Sequence, residues 1–367
     1  MNKKITVVVI NSLSFTGTTW FNAVLGCNSN AFALGPADRV IGLKPEEWGK
    51  ACLVHGESCE FWKGFSKRYT EEGNFFLQLA EYANCEYIIT NNLIPDKAGK
   101  QLKHKDIIVK EIRLFRDGRA VARSYARHNN DCDYLDAITE FLFQPYNSLI
   151  PDPNNSEILS LKLEGILADK KKMLEMVGDF LSIKYDDSAL KFWEWRQHIS
   201  SGNQGTISLI KFALGIKVND FRSKHFYEEQ FDKMLQDNSA NFEDVRWKHE
   251  LSKRELFLFD IFCGINHEKL GYECTDFTIK EVNNYSSELT EAIVSGELQH
   301  EHVKYLRENY PLLFNKKYSL GKHNNTDTKK NKVKNVLNSI KYYIPASVKD
   351  RVPYTIKNKV LMMMKKI

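Results

Sequence analysis

Two stretches of this 367-residue chain combine anion-binding residue types with glycine where a strand pattern gives way to a helix pattern. The first is Ser12-Leu13-Ser14-Phe15-Thr16-Gly17-Thr18-Thr19-Trp20. It follows the β-branched run Ile5 to Ile10 and precedes Trp20, Phe21, Val24 and Leu25, which recur at helical spacing. The first turn of a helix has unpaired N–H groups and the positive end of the helix dipole. Gly17 lets the backbone approach an anion closely, and Thr16, Thr18 and Thr19 add hydroxyl donors. The result is an anion cradle. It is not a nucleoside triphosphate loop, because GxxxxGK[ST] is absent and no lysine precedes the threonines. An ordinary N-capped helix after a strand shares the same outline.

The second stretch is Arg116-Asp117-Gly118-Arg119-Ala120-Val121-Ala122-Arg123-Ser124-Tyr125. Arg116 ends a predicted strand, and Ser124 lies two helical turns further on. Arginine offers a planar fork suited to phosphate, and serine adds a hydroxyl. An exposed basic helix start would read the same way. Two anion sites at two strand ends of one sheet point to a ligand with phosphates at both ends of a nucleoside, because ligands of open α/β sheets lie at strand ends.

Taken together, these stretches resemble those of sulfotransferases that use 3'-phosphoadenosine 5'-phosphosulfate (PAPS). Ser14-x-x-Gly17-Thr18-Thr19-Trp20 is similar to the family's 5'-phosphosulfate loop. Lys110-x-Ile112-x-Leu114-x-Arg116-Asp117-Gly118-Arg119-Ala120-Val121 is similar to its 3'-phosphate motif. Lys162-Leu163-Glu164, Phe180-Leu181, His198 to Asn203, Arg246-Trp247-Lys248 and Leu270-Gly271-Tyr272 follow in the expected order, so the resemblance spans about residues 5 to 273. It implies that Ser14 and Thr16 to Thr19 hold the 5'-phosphosulfate and that Trp20 flanks the adenine, although Trp20 equally suits helix packing. It also implies that Arg116 and Ser124 bind the 3'-phosphate, with Arg246 adding to that site.

The chain departs from the family pattern at two places. Phe15 stands where most members have Lys or Arg. Thr90-Asn91-Asn92-Leu93-Ile94-Pro95 has no histidine where many members place their base. Other members use a carboxylate shortly after the first helix. Asp38 is the candidate base there, and Arg39 the candidate for orienting the sulfuryl oxygens; a surface pair is the competing reading. Glu46 and Glu47 are further candidates, and Lys44 could replace the missing cation. The transfer itself requires no metal. Cys52, His55 and Cys59 have metal-ligand spacing, with Cys27 or Cys85 available as a fourth ligand, but the spacing suits free thiols beside an incidental histidine slightly better, and no metal is assigned.

The elements that must position these groups follow from periodicity. Strands are expected at Ile5 to Ile10, Tyr87 to Thr90, Lys110 to Phe115 and Ile158 to Leu163. Helices are expected at Arg119 to Arg127, Ala168 to Leu181, Ser188 to Trp195 and Ser252 to Lys269. Alternation of strand and helix predicts an α/β fold with a central parallel sheet and a helix-rich C-terminal half, and the resemblance implies that it is a P-loop-like three-layer domain. The expected division is a transferase domain over residues 1–275, a helical extension over 276–323 and a basic amphipathic tail over 324–367.

Charge supports that last boundary. The net charge is +5, yet the segment from Gly321 to Ile367 holds twelve Lys or Arg against Asp327 and Asp350, leaving the body at −5. Within the tail Val333, Val336, Leu337, Ile340 and Ile344 recur at helical spacing beside lysines, a pattern that suits an anionic membrane surface or packing on the acidic body. Nothing in the sequence calls for a nucleic-acid partner. The apolar start is too short for a secretion signal, and seven cysteines without framework spacing fit a reducing compartment. The expected location is the cytoplasm, with the tail offering contact to the inner membrane surface. The acceptor class is a glycan, glycolipid or small metabolite. A nucleotide or small-molecule kinase on a similar fold, and a non-catalytic PAPS-binding protein, are the alternatives.

Overall fold

Val7, Val8, Val9 and Ile10 are four consecutive buried residues. Successive side chains of a strand point to opposite faces, so both faces of this strand are covered. The computed structural model describes residues 4–92, 98–148, 155–216, 218, 232 and 245–314. Five strands form one parallel sheet: β1 (Ile5–Ser12), β2 (Ala31–Gly35), β3 (Tyr87–Asn91), β4 (Ile107–Phe115) and β5 (Ile158–Lys162), in the order β2-β3-β1-β4-β5. This is the α/β architecture with a central parallel sheet that the alternation of elements predicts. After β5 every regular element among the described residues is helical.

Helix α1 (Thr18–Leu25) connects β1 to β2. Helices α2 (Asp38–Ile41), α3 (Trp48–Ala51), α4 (Glu60–Ser66) and α5 (Phe75–Ala83) fall between β2 and β3, α6 (Ala98–Gln101) precedes β4, and α7 (Gly118–His128) follows it. The chain leaves β1 toward β2 on one side, then crosses from β3 to β4 on the other. The switch point is therefore at β1. The register sets Ser12 opposite Leu114, so the loops after β1 and β4 emerge side by side.

α1 is almost wholly inside, with Phe21, Ala23, Val24 and Leu25 fully buried. Its buried Asn22 is satisfied on all sides. Nδ2 donates to the Ile89 carbonyl (3.0 Å) and to Asn91 Oδ1 (2.9 Å), while Oδ1 accepts from Gly35 N (3.3 Å). One polar side chain thus pins the helix to both β2 and β3, and truncating it would leave buried groups unpaired at about 1–3 kcal/mol each.

Two expectations are corrected here. The strand Ala31–Gly35 is not marked by the sequence pattern. The stretch Ser188 to Trp195 forms two short 3-10 turns, Asp187–Leu190 and Phe192–Glu194, in place of one helix, because Asp186 and Lys191 leave helical geometry and Asp186 caps Ser188 N. The remaining predicted strands and helices are present within a few residues of their expected ends.

The described chain divides into two compact units, residues 1–252 with 265–273, and residues 253–264 with the chain from 274 onward. In the second unit, Thr278 and Glu281 form a reciprocal capping box at the head of the helix Ile279–Ser295. No helix among the described residues is long and apolar enough to cross a membrane. The tail 324–367, and with it the proposed amphipathic stripe, lies outside the described residues.

Candidate functional site

The loop after β1 turns sharply. Phe15 has φ 66° and Gly17 φ 81°, both left-handed, and Gly17 caps α1. Glycine suits that conformation, and a Cβ there would also meet Leu163 Cδ1 at 3.0 Å. Ser12 Oγ and Thr18 Oγ1 share a short hydrogen bond, and the Ser12 amide donates to Asn92 Oδ1 over 2.9 Å. The loop is therefore held at both ends before any ligand arrives. Ser14 is exposed, Thr16 is buried, and Gly17, Thr18 and Trp20 are half-buried. Trp20 packs against the core and tilts against Phe21 at 6.3 Å, so packing accounts for much of its ring.

Thr19 is 7% exposed, and its hydroxyl accepts from the Asn203 amide over 2.8 Å. Gly202 lies so close that a Cβ would fall 2.3 Å from Thr19 Cγ2. The segment Ile199 to Asn203 is thus a wall of the loop. Ser200 N and Oγ both donate to the Leu34 carbonyl, at 3.0 and 2.8 Å, which fixes that wall to the end of β2.

At the end of β4, Arg116 Nη1 donates to the Phe15 carbonyl over 2.6 Å. Asp117 caps α7 through the Arg119 amide at 2.9 Å and grips the Arg119 guanidinium at 3.0 and 2.7 Å. The Asp117 amide donates to Glu164 Oε1 (2.9 Å), and Glu164 Oε2 accepts from Tyr272 Oη (2.8 Å). Buried His267 stacks on Tyr272 at 4.9 Å and shares a 2.7 Å hydrogen bond with Tyr146 Oη. Burial pushes the His267 imidazole down to about 4. Ser124 is half-buried on α7. Arg246 stands at the head of the short helix Trp247–Glu250, whose Trp247 ring lies under the Arg119 guanidinium at 4.6 Å. Glu250 accepts from Arg123 Nε over 2.8 Å, so this helix packs on α7.

The structure therefore brings the loop Thr16 to Thr19 together with Arg116, and brings the Arg246 helix to α7. It places Asp38 and Arg39 elsewhere, in α2 just after β2, two strands from β1 or about 10 Å across the sheet. Asp38 Oδ1 accepts from the Ala98 amide over 3.4 Å, and Arg39 is exposed. Phe15 turns its ring toward Tyr125 (6.3 Å), His128 (5.6 Å) and Phe141 (5.9 Å), so position 15 contributes an aromatic contact and a carbonyl, not a cation.

Sequence reasoning assigned no role to Asn92, Gly202, Asn203, Glu164 or Tyr272. The residues from His198 to Asn203, Glu164 and Tyr272 lie inside motifs singled out above, but their contacts are long-range and spacing does not reveal them. Cys27 and Cys85 do not join Cys52, His55 and Cys59. Cys27 donates to the Ala23 carbonyl over 3.1 Å, and burial pushes the Cys85 thiol up to about 12. The residue that joins the cluster is His198.

No family model matches the chain, and no curated protein matches it. Among solved structures, it is similar to the sulfotransferase domain of the olefin synthase of Synechococcus PCC 7002, at 16% identity over 65% of this chain and 96% of that one, with a TM-score of 0.41. A sulfotransferase domain from the curacin biosynthetic pathway aligns at 12% identity over 75% and 100%, with a TM-score of 0.46. A mouse sulfotransferase complexed with PAP aligns at 14% identity over 73% and 86%, with a TM-score of 0.39. At such identities and scores these likenesses assign no function.

Proposed function

We propose that this chain moves a sulfuryl group from PAPS to a hydroxyl or amine acceptor. One observation carries the reading: two anion-suited strand-to-helix junctions, at the ends of adjacent strands β1 and β4, are joined by the Arg116–Phe15 hydrogen bond. The ligand that fits has one phosphate group at each junction.

In this reading the amides at the head of α1 and the hydroxyls of Thr16, Thr18 and Thr19 receive the 5'-phosphosulfate. Thr19 is already oriented by Asn203, so its proton is free to point into the loop. Donors held there in advance stabilise charge that develops on the bridging oxygen as the phosphate leaves. Arg116 and Ser124 hold the 3'-phosphate, and Arg246 adds charge from the helix beside α7. The two phosphate groups fix the donor for in-line attack. Asp38, two strands from β1 but at the same C-terminal end of the parallel sheet, takes the acceptor proton, and Arg39 steadies the sulfuryl oxygens. The acceptor is a glycan, a glycolipid or a small metabolite.

The test is calorimetric titration with 3'-phosphoadenosine 5'-phosphate (PAP) and with ATP, followed by transfer of radiolabelled sulfate from PAPS to an acceptor panel. PAP should bind and ATP should bind far more weakly. Tight ATP binding without PAP binding would favour a kinase instead. A second reading, PAPS binding without turnover, draws on the Phe15 ring, which faces Tyr125, His128 and Phe141 where a catalytic cation would be expected. PAP binding with no transfer to any acceptor in the panel would support it.

A further inference from the structure

Away from the anion loop, two thiols and two imidazoles converge. The candidate ligand atoms of Cys52, His55, Cys59 and His198 all lie within 4.8 Å of one another. We propose that these four side chains form a closed, tetrahedral zinc site that staples the α3–α4 connection to the segment leading into Asn203.

The distances suit a metal. Zinc bonds of about 2.3 Å to sulfur and about 2.0–2.1 Å to nitrogen, in a tetrahedron, set sulfur and nitrogen ligands about 3.6 Å apart. Cys52 Sγ lies 3.5 Å from His55 Nδ1, and Cys59 Sγ lies 3.3 Å from His198 Nδ1. Two thiolates and two imidazoles form a donor set that selects zinc among common divalent ions, and four protein ligands leave no open position.

The surroundings are built for it. Cys52 ends α3 and Cys59 caps α4. Between them the chain makes a tight knuckle at Gly56 (φ 58°), where the His55 amide donates to Cys52 Sγ over 3.5 Å and the Gly56 amide to the Cys52 carbonyl over 2.9 Å. Cys52, Cys59 and His198 are 1%, 1% and 5% exposed. The Phe61 ring stacks on His198 at 4.5 Å, and Trp62 Nε1 donates to the His198 carbonyl over 3.0 Å.

His198 also has an unsatisfied edge. Its Nε2 is buried without a hydrogen-bond partner, while Nδ1 faces the Cys59 sulfur. Leaving a buried nitrogen unpaired costs more than a weak thiol–imidazole contact offsets. A metal bond at Nδ1 accounts for that orientation. The knuckle and the His198 segment are already joined by the Leu53 amide donating to the Ile199 carbonyl (3.0 Å), and five residues beyond His198 the Asn203 amide reaches Thr19. The zinc is structural, and its presence does not depend on which ligand the anion loop takes.

The experiment uses the full chain, purified under reducing conditions and reconstituted with zinc. Elemental analysis should find about one zinc per chain after dialysis. Cobalt(II) in its place should give the visible spectrum of a tetrahedral thiolate site, which needs no variant and so does not depend on variant folding. Cys59→Ser and His198→Asn should each lose most of the metal, whereas Cys27→Ser and Cys85→Ser should keep it. A reconstituted chain without zinc, or full zinc retention in both Cys59→Ser and His198→Asn, would overturn the site.

Discussion

The Arg116 guanidinium donates through Nη1 to the Phe15 carbonyl over 2.6 Å, across 101 positions of sequence. The contact sets a cation against the backbone of a loop that has none at position 15. Arg116 therefore does two things at once: it holds the loop in its left-handed turn and brings positive charge to the switch point of the sheet.

The first prediction tests that dual role. Arg116→Ala should weaken PAP binding by about 2 kcal/mol or more, as loss of a charge-assisted contact does. Arg116→Lys keeps the charge but not the fork, and should recover less than half of the loss. Calorimetry on both variants decides; unchanged affinity in Arg116→Ala removes the assignment.

Asp38 is the proposed base, so Asp38→Asn should lower turnover at least about 100-fold. Its distance from β1 means that PAP affinity should hold. Near-normal turnover in a sulfate-transfer assay would move the role to Glu46, Glu47 or another group.

Gly202→Ala would drive a methyl group to 2.3 Å from Thr19 Cγ2 and 2.5 Å from its hydroxyl. Overpacking of this kind costs about 1–3 kcal/mol, and it should displace the Thr19 hydroxyl from Asn203. Gly165→Ala is the control, since a Cβ there meets nothing within 4 Å and the position is helical. Urea unfolding should show a loss for the first and none for the second, with PAP affinity reduced only in the first.

His267 makes stability depend on pH. Burial holds its folded value at about 4, below the ordinary imidazole value of about 6.5. Between those values the unfolded chain binds a proton that the native chain does not. Stability is therefore fully present above about pH 6.5 and falls as pH drops toward 4, by on the order of 2–3 kcal/mol. His267→Asn should flatten urea-unfolding stability across that window; an unchanged slope would assign the acid sensitivity to other groups.

The tail yields a sequence-based prediction. With twelve basic residues from Gly321 onward, full-length protein should float with anionic vesicles at low salt and dissociate as salt rises. A chain ending near Gly321 should not float. Absence of flotation of the full chain at low salt would remove the membrane reading.

How much could be read in advance differs from element to element. Ile5 to Ile10 announced β1 because a strand covered on both faces must be apolar throughout. Ala31–Gly35 did not announce β2, since two alanines and a terminal glycine carry little strand signal and the neighbouring β3 supplies the pairing. The Asn91-Asn92 pair read as the place of a missing base. In the structure Asn91 bonds Asn22 and Asn92 bonds both polar groups of the Ser12 backbone, so these positions serve the loop's architecture.

By itself the sequence determined four of the five strands, most of the longer helices and the two anion-suited junctions, because strand and helix periodicity and the N–H groups of a helix start are local properties. It also showed three of the four clustered metal-type ligands, which lie within eight residues of one another. Only the tertiary structure decided which distant groups meet them. Arg116 reaches Phe15 because β1 and β4 pair with Ser12 opposite Leu114. Asn203 reaches Thr19, and His198 reaches Cys59, because Ser200 docks on the end of β2 and draws its neighbours along. Such meetings depend on register and packing summed over the whole sheet, and no spacing along the chain encodes them.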